Sequence, residues 1–128
     1  EQWTTKQPYR EWARREMISW LKGGWRETGC SAILVQNDVA AIGVIQILQK
    51  EGIKVPEEVS VMGFDGTEIC DLISPHVTSV ALPIEQIGLK AMEILNLQIS
   101  GEKSSPEVIM LPLKLRPGGS IAAVSEIK

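Results

Sequence analysis

The chain has 128 residues, 44% of them hydrophobic and 23% charged, which suits one globular domain whose core stands without disulfide staples. Sixteen acidic against thirteen basic residues leave a net charge of −3, and an acidic chain lacks the basic face that non-specific nucleic-acid binding needs. No apolar run approaches the roughly 20 residues of a membrane helix, and Glu1-Gln2-Trp3-Thr4 lacks the charged-then-apolar pattern of a signal peptide.

Pro8 to Lys22 is predicted as the first helix, with Tyr9, Ala13, Met17, Trp20 and Leu21 forming one apolar stripe at three- and four-residue steps. Arg10, Arg14, Arg15 and Lys22 interleave with Glu11 and Glu16, and mixed signs mark a solvated face rather than a DNA-reading one. Gly23-Gly24 ends the helix. Trp3, Trp12, Trp20 and Trp25 all fall in this first quarter.

Ser31 to Gln36 is predicted as a strand, apolar on both faces and so covered by helices on both sides. Asp38 is placed to cap the next helix. That helix, Val39 to Lys50, is apolar almost throughout, with Gly52 as its stop. A helix so apolar must be covered on more than one side, and Gly43 in its middle marks close approach of a neighbour. Val59 to Phe64 is the next buried strand and completes a βαβ unit.

Gly66-Thr67 begins a short helical turn that runs to Ile73. Val77 to Leu82 is a strand, and Pro83 opens a long helix with Ile84, Ile87, Gly88, Ala91 and Leu95 on one face and Gly101 at its end. Glu102 to Pro106 is a loop, and Val108 to Arg116 an exposed edge strand. From Pro117 onward the tail carries little structural signal.

In a parallel α/β sheet, ligands bind outside the carboxyl ends of the strands. Asn37-Asp38 and Asp65 both stand at such ends. On the residues alone Asp38 is a ligand group or merely a helix cap, and the two readings balance. Asn37 is a turn residue or a ligand amide, and Asp65-Gly66 is first of all a turn. Catalytic patterns are missing: there is no Gly-x-Ser-x-Gly elbow, no phosphate loop and no dinucleotide fingerprint. Asp38 and Asp65 acting as acid and base would need shifted pKa values that nothing in the sequence supplies, so accepting hydrogen bonds from ligand hydroxyls is the milder role. His76, the single histidine, is expected to be structural or on the surface. Cys30 and Cys70 have no metal-ligand spacing and are expected as free, buried or half-buried thiols in a reducing cytoplasm.

Taken together, several segments resemble the C-terminal part of the effector-binding domain of the lactose/galactose repressor (LacI/GalR) family. They are Ser31-Ala32-Ile33-Leu34-Val35-Gln36-Asn37-Asp38, Ala41-Ile42-Gly43 and Gly52 through Asp65 with its Val-Pro-Glu-Glu-Val-Ser-Val-Met-Gly-Phe-Asp phrase. Pro75 through Val80, Pro83 through Gly88 and Leu111 through Arg116 continue the match in order. The resemblance runs from about Tyr9 to Arg116.

It implies a three-layer α/β/α fold with a mainly parallel sheet, an incomplete lobe like that of type I periplasmic binding proteins. Residues 1–82 and 107–117 would form the C-terminal lobe, and residues 83–106 a crossover helix and loop that pack in a missing N-terminal lobe. Without that lobe the helix would fold back onto its own lobe or pair with a second copy. The implied function is that of a cytoplasmic, homodimeric transcriptional repressor. It senses a sugar, nucleobase or related small molecule, uses no cofactor or metal, contacts no membrane, and meets operator DNA only through a headpiece outside this chain. The resemblance raises Asp38 above its capping role to an effector contact and puts Gln2 and Trp3 beside the cleft, Trp3 as a stacking face for a sugar ring or equally as a plain core residue; Asn37 and Asp65, at their strand ends, complete the candidate effector contacts. Many sugar-binding members have a Gln where this chain has Leu82, so that side of the site would be less polar. The alternatives are part of a sugar transport receptor of the same fold, or a small enzyme on a flavodoxin-like sheet.

Overall fold

The computed structural model describes residues 8–101 and 108–123. By internal contacts these fall into two compact units, one made of the chain up to Ala81 together with Leu115 onward, the other of Leu82–Lys114.

The first unit opens with α1 (Pro8–Lys22), of which Ala13 and Met17 are buried. Tyr9 and Trp20 of the expected stripe are half exposed, so the buried seam is narrower than the periodicity suggested. Gly23 and Gly24 end the helix as expected, Gly23 N–H bonding the Ser19 carbonyl at 2.9 Å. Helix α2 (Asp38–Lys50) is the centre of the core, with nine buried residues from Asp38 to Leu48. The two helices meet where a side chain would not fit: a Cβ on Gly43 would stand 2.6 Å from the Arg10 carbonyl oxygen. Gly52, at φ +75°, closes α2, and Ile53 N–H returns to the Leu48 carbonyl at 2.9 Å. Only a residue tolerant of the left-handed region ends a helix this way.

Strands β1 (Ala32–Leu34), β2 (Ser60–Asp65), β3 (Thr78–Ala81) and β4 (Lys114–Arg116) lie side by side in that order. β1 runs parallel to β2 with Ile33 opposite Val61, and β2 parallel to β3 with Gly63 opposite Ser79. The mainly parallel α/β lobe expected from the sequence is therefore present. β1 differs from expectation: it is a short edge strand with Leu34 71% exposed, not a strand covered on both faces. β4 is likewise only three residues long, and 108–113 form no strand.

The tail contributes more than the sequence indicated. Ser120 is fully buried. Its hydroxyl donates to the Val61 carbonyl at 2.6 Å and accepts from Thr78 N–H at 2.8 Å, tying β2 to β3. Gly118 N–H donates to Thr78 Oγ1, and Ala122 N–H to Ser60 Oγ. Gly118 must be glycine, since a Cβ there would stand 2.6 Å from the Thr78 nitrogen.

The second unit is built on α3 (Ile84–Ile99), which Pro83 precedes as its cap residue rather than opening it. None of its residues is buried, and Ile84, Leu89 and Ile99 are more than three-fifths exposed. The expected loop at residues 102–106 lies outside the described residues.

Candidate functional site

The loops that leave β1 and β2 bring two acidic residues to the carboxyl end of the sheet. Asn37, in extended conformation, is the cap of α2: its side-chain oxygen accepts from Ala40 N–H at 2.8 Å. This corrects the expectation that Asp38 caps the helix. Asp38 is already the first helical residue, and its side chain turns inward, 1% exposed.

A buried carboxylate must be hydrogen-bonded to be tolerated. Asp38 Oδ2 accepts from both the backbone N–H and the hydroxyl of Thr67, each at 2.7 Å. Its Oδ1 accepts from the Ser79 hydroxyl at 2.5 Å. Ser79 Oγ in turn accepts from Gly66 N–H at 3.1 Å, so the network closes on the loop between β2 and the 3₁₀ helix Glu68–Leu72. Gly63 makes room for it, because a Cβ there would lie 2.5 Å from Asp38 Oδ1.

Asp65 ends β2 with φ +106°, the only positive φ outside glycine among the described residues. Such a backbone is held by its surroundings and is characteristic of functional sites. Asp65 is half-buried; loss of solvent and then the charge of Asp38 raise its carboxyl above the ordinary 3.8. Beneath lies the Cys70 thiol, fully buried, which burial, the Asp38 charge and a hydrogen bond to Asp38 push up to about 11. It stays protonated and unreactive at neutral pH. Cys30 is exposed, against the expectation of burial, and both thiols are free.

Behind this edge, Asp71 pairs with Arg116 at 2.6 Å and lies 3.6 Å from His76 Nδ1. The hydrogen bond from Arg116 lowers the Asp71 carboxyl and raises the guanidinium. His76 is on the surface, as expected.

Of the residues expected at the site, the structure thus brings together Asn37, Asp38 and Asp65. Leu82 belongs to the second unit, where its carbonyl accepts from Ile84 N–H. Gln2 and Trp3 lie outside the described residues. Thr67, Ser79 and Gly63 were not anticipated. Gly63 left a trace, since glycine inside a strand often marks close approach by another group; Thr67 and Ser79 left none. The arrangement offers acceptors and amide donors to polar groups. Among the described residues no cluster of three His, Cys, Asp or Glu side chains could hold a metal ion. A separate apolar cleft of about 140 Å³ between α1 and β1, lined by Trp12, Met17, Trp20 and Leu34, contains none of these acidic residues.

Comparison with known proteins gives a match to the family described as periplasmic binding protein-like domain over residues 1–121. The NTD biosynthesis operon regulator NtdR of Bacillus subtilis (strain 168) is 40% identical over 86 residues, 66% of this chain and 26% of that protein. A LacI family transcriptional regulator from Arthrobacter sp. FB24, solved with lactose, superposes with a TM-score of 0.76 at 29% identity, covering 88% of this chain and 41% of that one. The transcriptional regulator CelR in complex with cellobiose gives 0.77 at 26%, covering 87% and 33%. The chain spans about a quarter of the length of the curated regulator it matches and less than half of the solved ones.

Proposed function

The chain belongs to the periplasmic binding protein-like domain family, with LacI-family regulators as its relatives, and from this we propose that it is the C-terminal part of the effector-binding domain of a ligand-responsive transcriptional repressor. Residues 1–82 and 107–117 supply one lobe, and residues 83–106 pack in a second lobe. The effector is a sugar or related metabolite; relatives solved with lactose and with cellobiose support that class. The whole regulator works as a cytoplasmic homodimer, carries no enzymatic activity and reaches operator DNA through a separate headpiece. No helix among the described residues is long and apolar enough to cross a membrane.

One observation carries the site assignment: Asn37, Asp38 and Asp65 converge at the carboxyl ends of parallel strands, where this sheet architecture binds ligands. Asn37 keeps its amide N–H groups for an effector while its oxygen caps α2, and Asp65 presents an acceptor. A contact through Asp38 needs Thr67 displaced, because the carboxylate is 1% exposed and already bonded. Gln2 supplies an amide and Trp3 a stacking face.

The test is a thermal-shift screen of mono- and disaccharides and nucleobases on the regulator that carries both lobes. A hit raises Tm, and Asn37→Ala or Asp65→Ala lowers the affinity for it about tenfold, as expected for one lost hydrogen bond to a charged or desolvated partner. No shift with any compound, or full response in both variants, refutes the assignment.

A further inference from the structure

We infer that Asp38 is a positioning residue: its buried carboxylate fastens the loop after β2 to β3 and so sets the direction in which Asp65 faces an effector. The inference rests on the reading that this edge takes the effector, and adds how the edge is held.

The bonds that Asp38 accepts from Thr67 and Ser79 support it. Both bonds to Oδ2 come from Thr67, two residues beyond Asp65. Thr67 occupies the cap position of the 3₁₀ helix Glu68–Leu72 in extended conformation, yet makes no side-chain cap; its hydroxyl goes to Asp38 instead. The bond to Oδ1 comes from Ser79 of β3, whose oxygen also holds Gly66 N–H. Asp38 and Ser79 thereby grip the two residues that follow Asp65 from either side. Gly66, at φ +74°, has no room for a side chain, since a Cβ would collide with Ala81. A non-glycine residue at φ +106° persists only where its neighbours determine the backbone, and Asp65 sits directly before this doubly held pair. Gly63 supplies the space that the carboxylate occupies. The arrangement is a built clasp, not a carboxylate left over in the core.

Thr67 is an exposed residue whose amide donates to Asp38, so its hydrogen exchange reports on that bond. Exchange is measured by NMR on the 128-residue chain, with Ile45 and Val61, both fully buried, reporting the core. Asp38→Asn is expected to speed exchange at Thr67 and Gly66 by about tenfold or more, while Ile45 and Val61 stay unchanged. Ser79→Ala should speed Gly66, and Thr67→Ser, which keeps hydroxyl and amide, should behave as wild type. If Asp38→Asn also loosens the core, Ser79→Ala and Thr67→Val decide instead, each removing one strand of the clasp. Unchanged exchange at Thr67 and Gly66 overturns the inference.

The second arm uses the two-lobed regulator and a sugar found by thermal shift. Asp38→Asn weakens that sugar in a wild-type background and adds nothing once Asp65 is Ala. Independent, additive losses mean that Asp38 meets the sugar directly, and they overturn the positioning role. If no compound binds the wild-type regulator, the sensor reading fails, while the clasp is still decided by the exchange rates.

Discussion

A methyl group at position 63 would stand 2.5 Å from Asp38 Oδ1 and 3.2 Å from a Val77 methyl. Gly63→Ala is therefore expected to cost about 1–3 kcal/mol, the usual range for overpacking a tight interior. Urea unfolding of the 128-residue chain measures it, and a variant as stable as wild type would show that the Asp38 pocket gives way freely. Asp65 makes the opposite kind of prediction. Its carboxyl is raised in the folded state, so the native protein holds the proton more readily than the unfolded chain. Stability then falls as pH rises from the ordinary 3.8 through the folded value, and ionised Asp65 is a liability at neutral pH. Asp65→Asn, which keeps tolerance for positive φ, should stabilise the chain at neutral pH, with the gain disappearing in acid. An equal effect at pH 3 and pH 7 would rule this out. Asp71 has the contrary sign: its lowered carboxyl favours the fold above 3.8 and loses that contribution as pH falls through its folded value.

At the scale of elements, the periodicities located α1, α2 and α3 well, because a three- to four-residue repeat survives wherever the helix ends up. They could not say how deeply each stripe is covered. α2 is buried almost all round, whereas α3, of similar apolarity, has no buried residue. The tail was illegible for a different reason. Its attachment rests on one serine and a few backbone amides between Gly118 and Ala122, and such bonds have no periodic signature. Ser120→Ala removes the donor to the Val61 carbonyl and the acceptor for Thr78 N–H, both at a buried position. The expected cost is about 1–3 kcal/mol per unsatisfied group. It should appear as a lower urea midpoint together with faster exchange at Thr78; a loss confined to residues beyond Ser120 would show that the tail is an appendage.

On the scale of the whole molecule, α3 carries the main consequence. Ile84, Ile87, Met92 and Leu95 are each more than two-fifths exposed, and contiguous apolar patches of that kind rarely stay in water. The isolated chain is expected to bury α3, on its own lobe or against a second copy. Light scattering coupled to gel filtration should find self-association that Ile87→Lys with Leu95→Lys reduces, or a monomer in which α3 amides are protected. A monomer with α3 unprotected would refute the expectation.

By itself the sequence determined the element order, the parallel α/β class, the family and the position of Asn37, Asp38 and Asp65 at strand ends. Those features depend on local periodicity, helix-stop and turn residues and a long ordered motif, all of which are written along the chain. Only the tertiary structure decided that Asn37 and not Asp38 caps α2, and that Asp38 turns inward to Thr67 and Ser79. Those partners lie 29 and 41 residues away. Hydrogen bonds between distant side chains follow from the register of β2 and β3 and from the absence of a side chain at Gly63, and neither can be read from one segment.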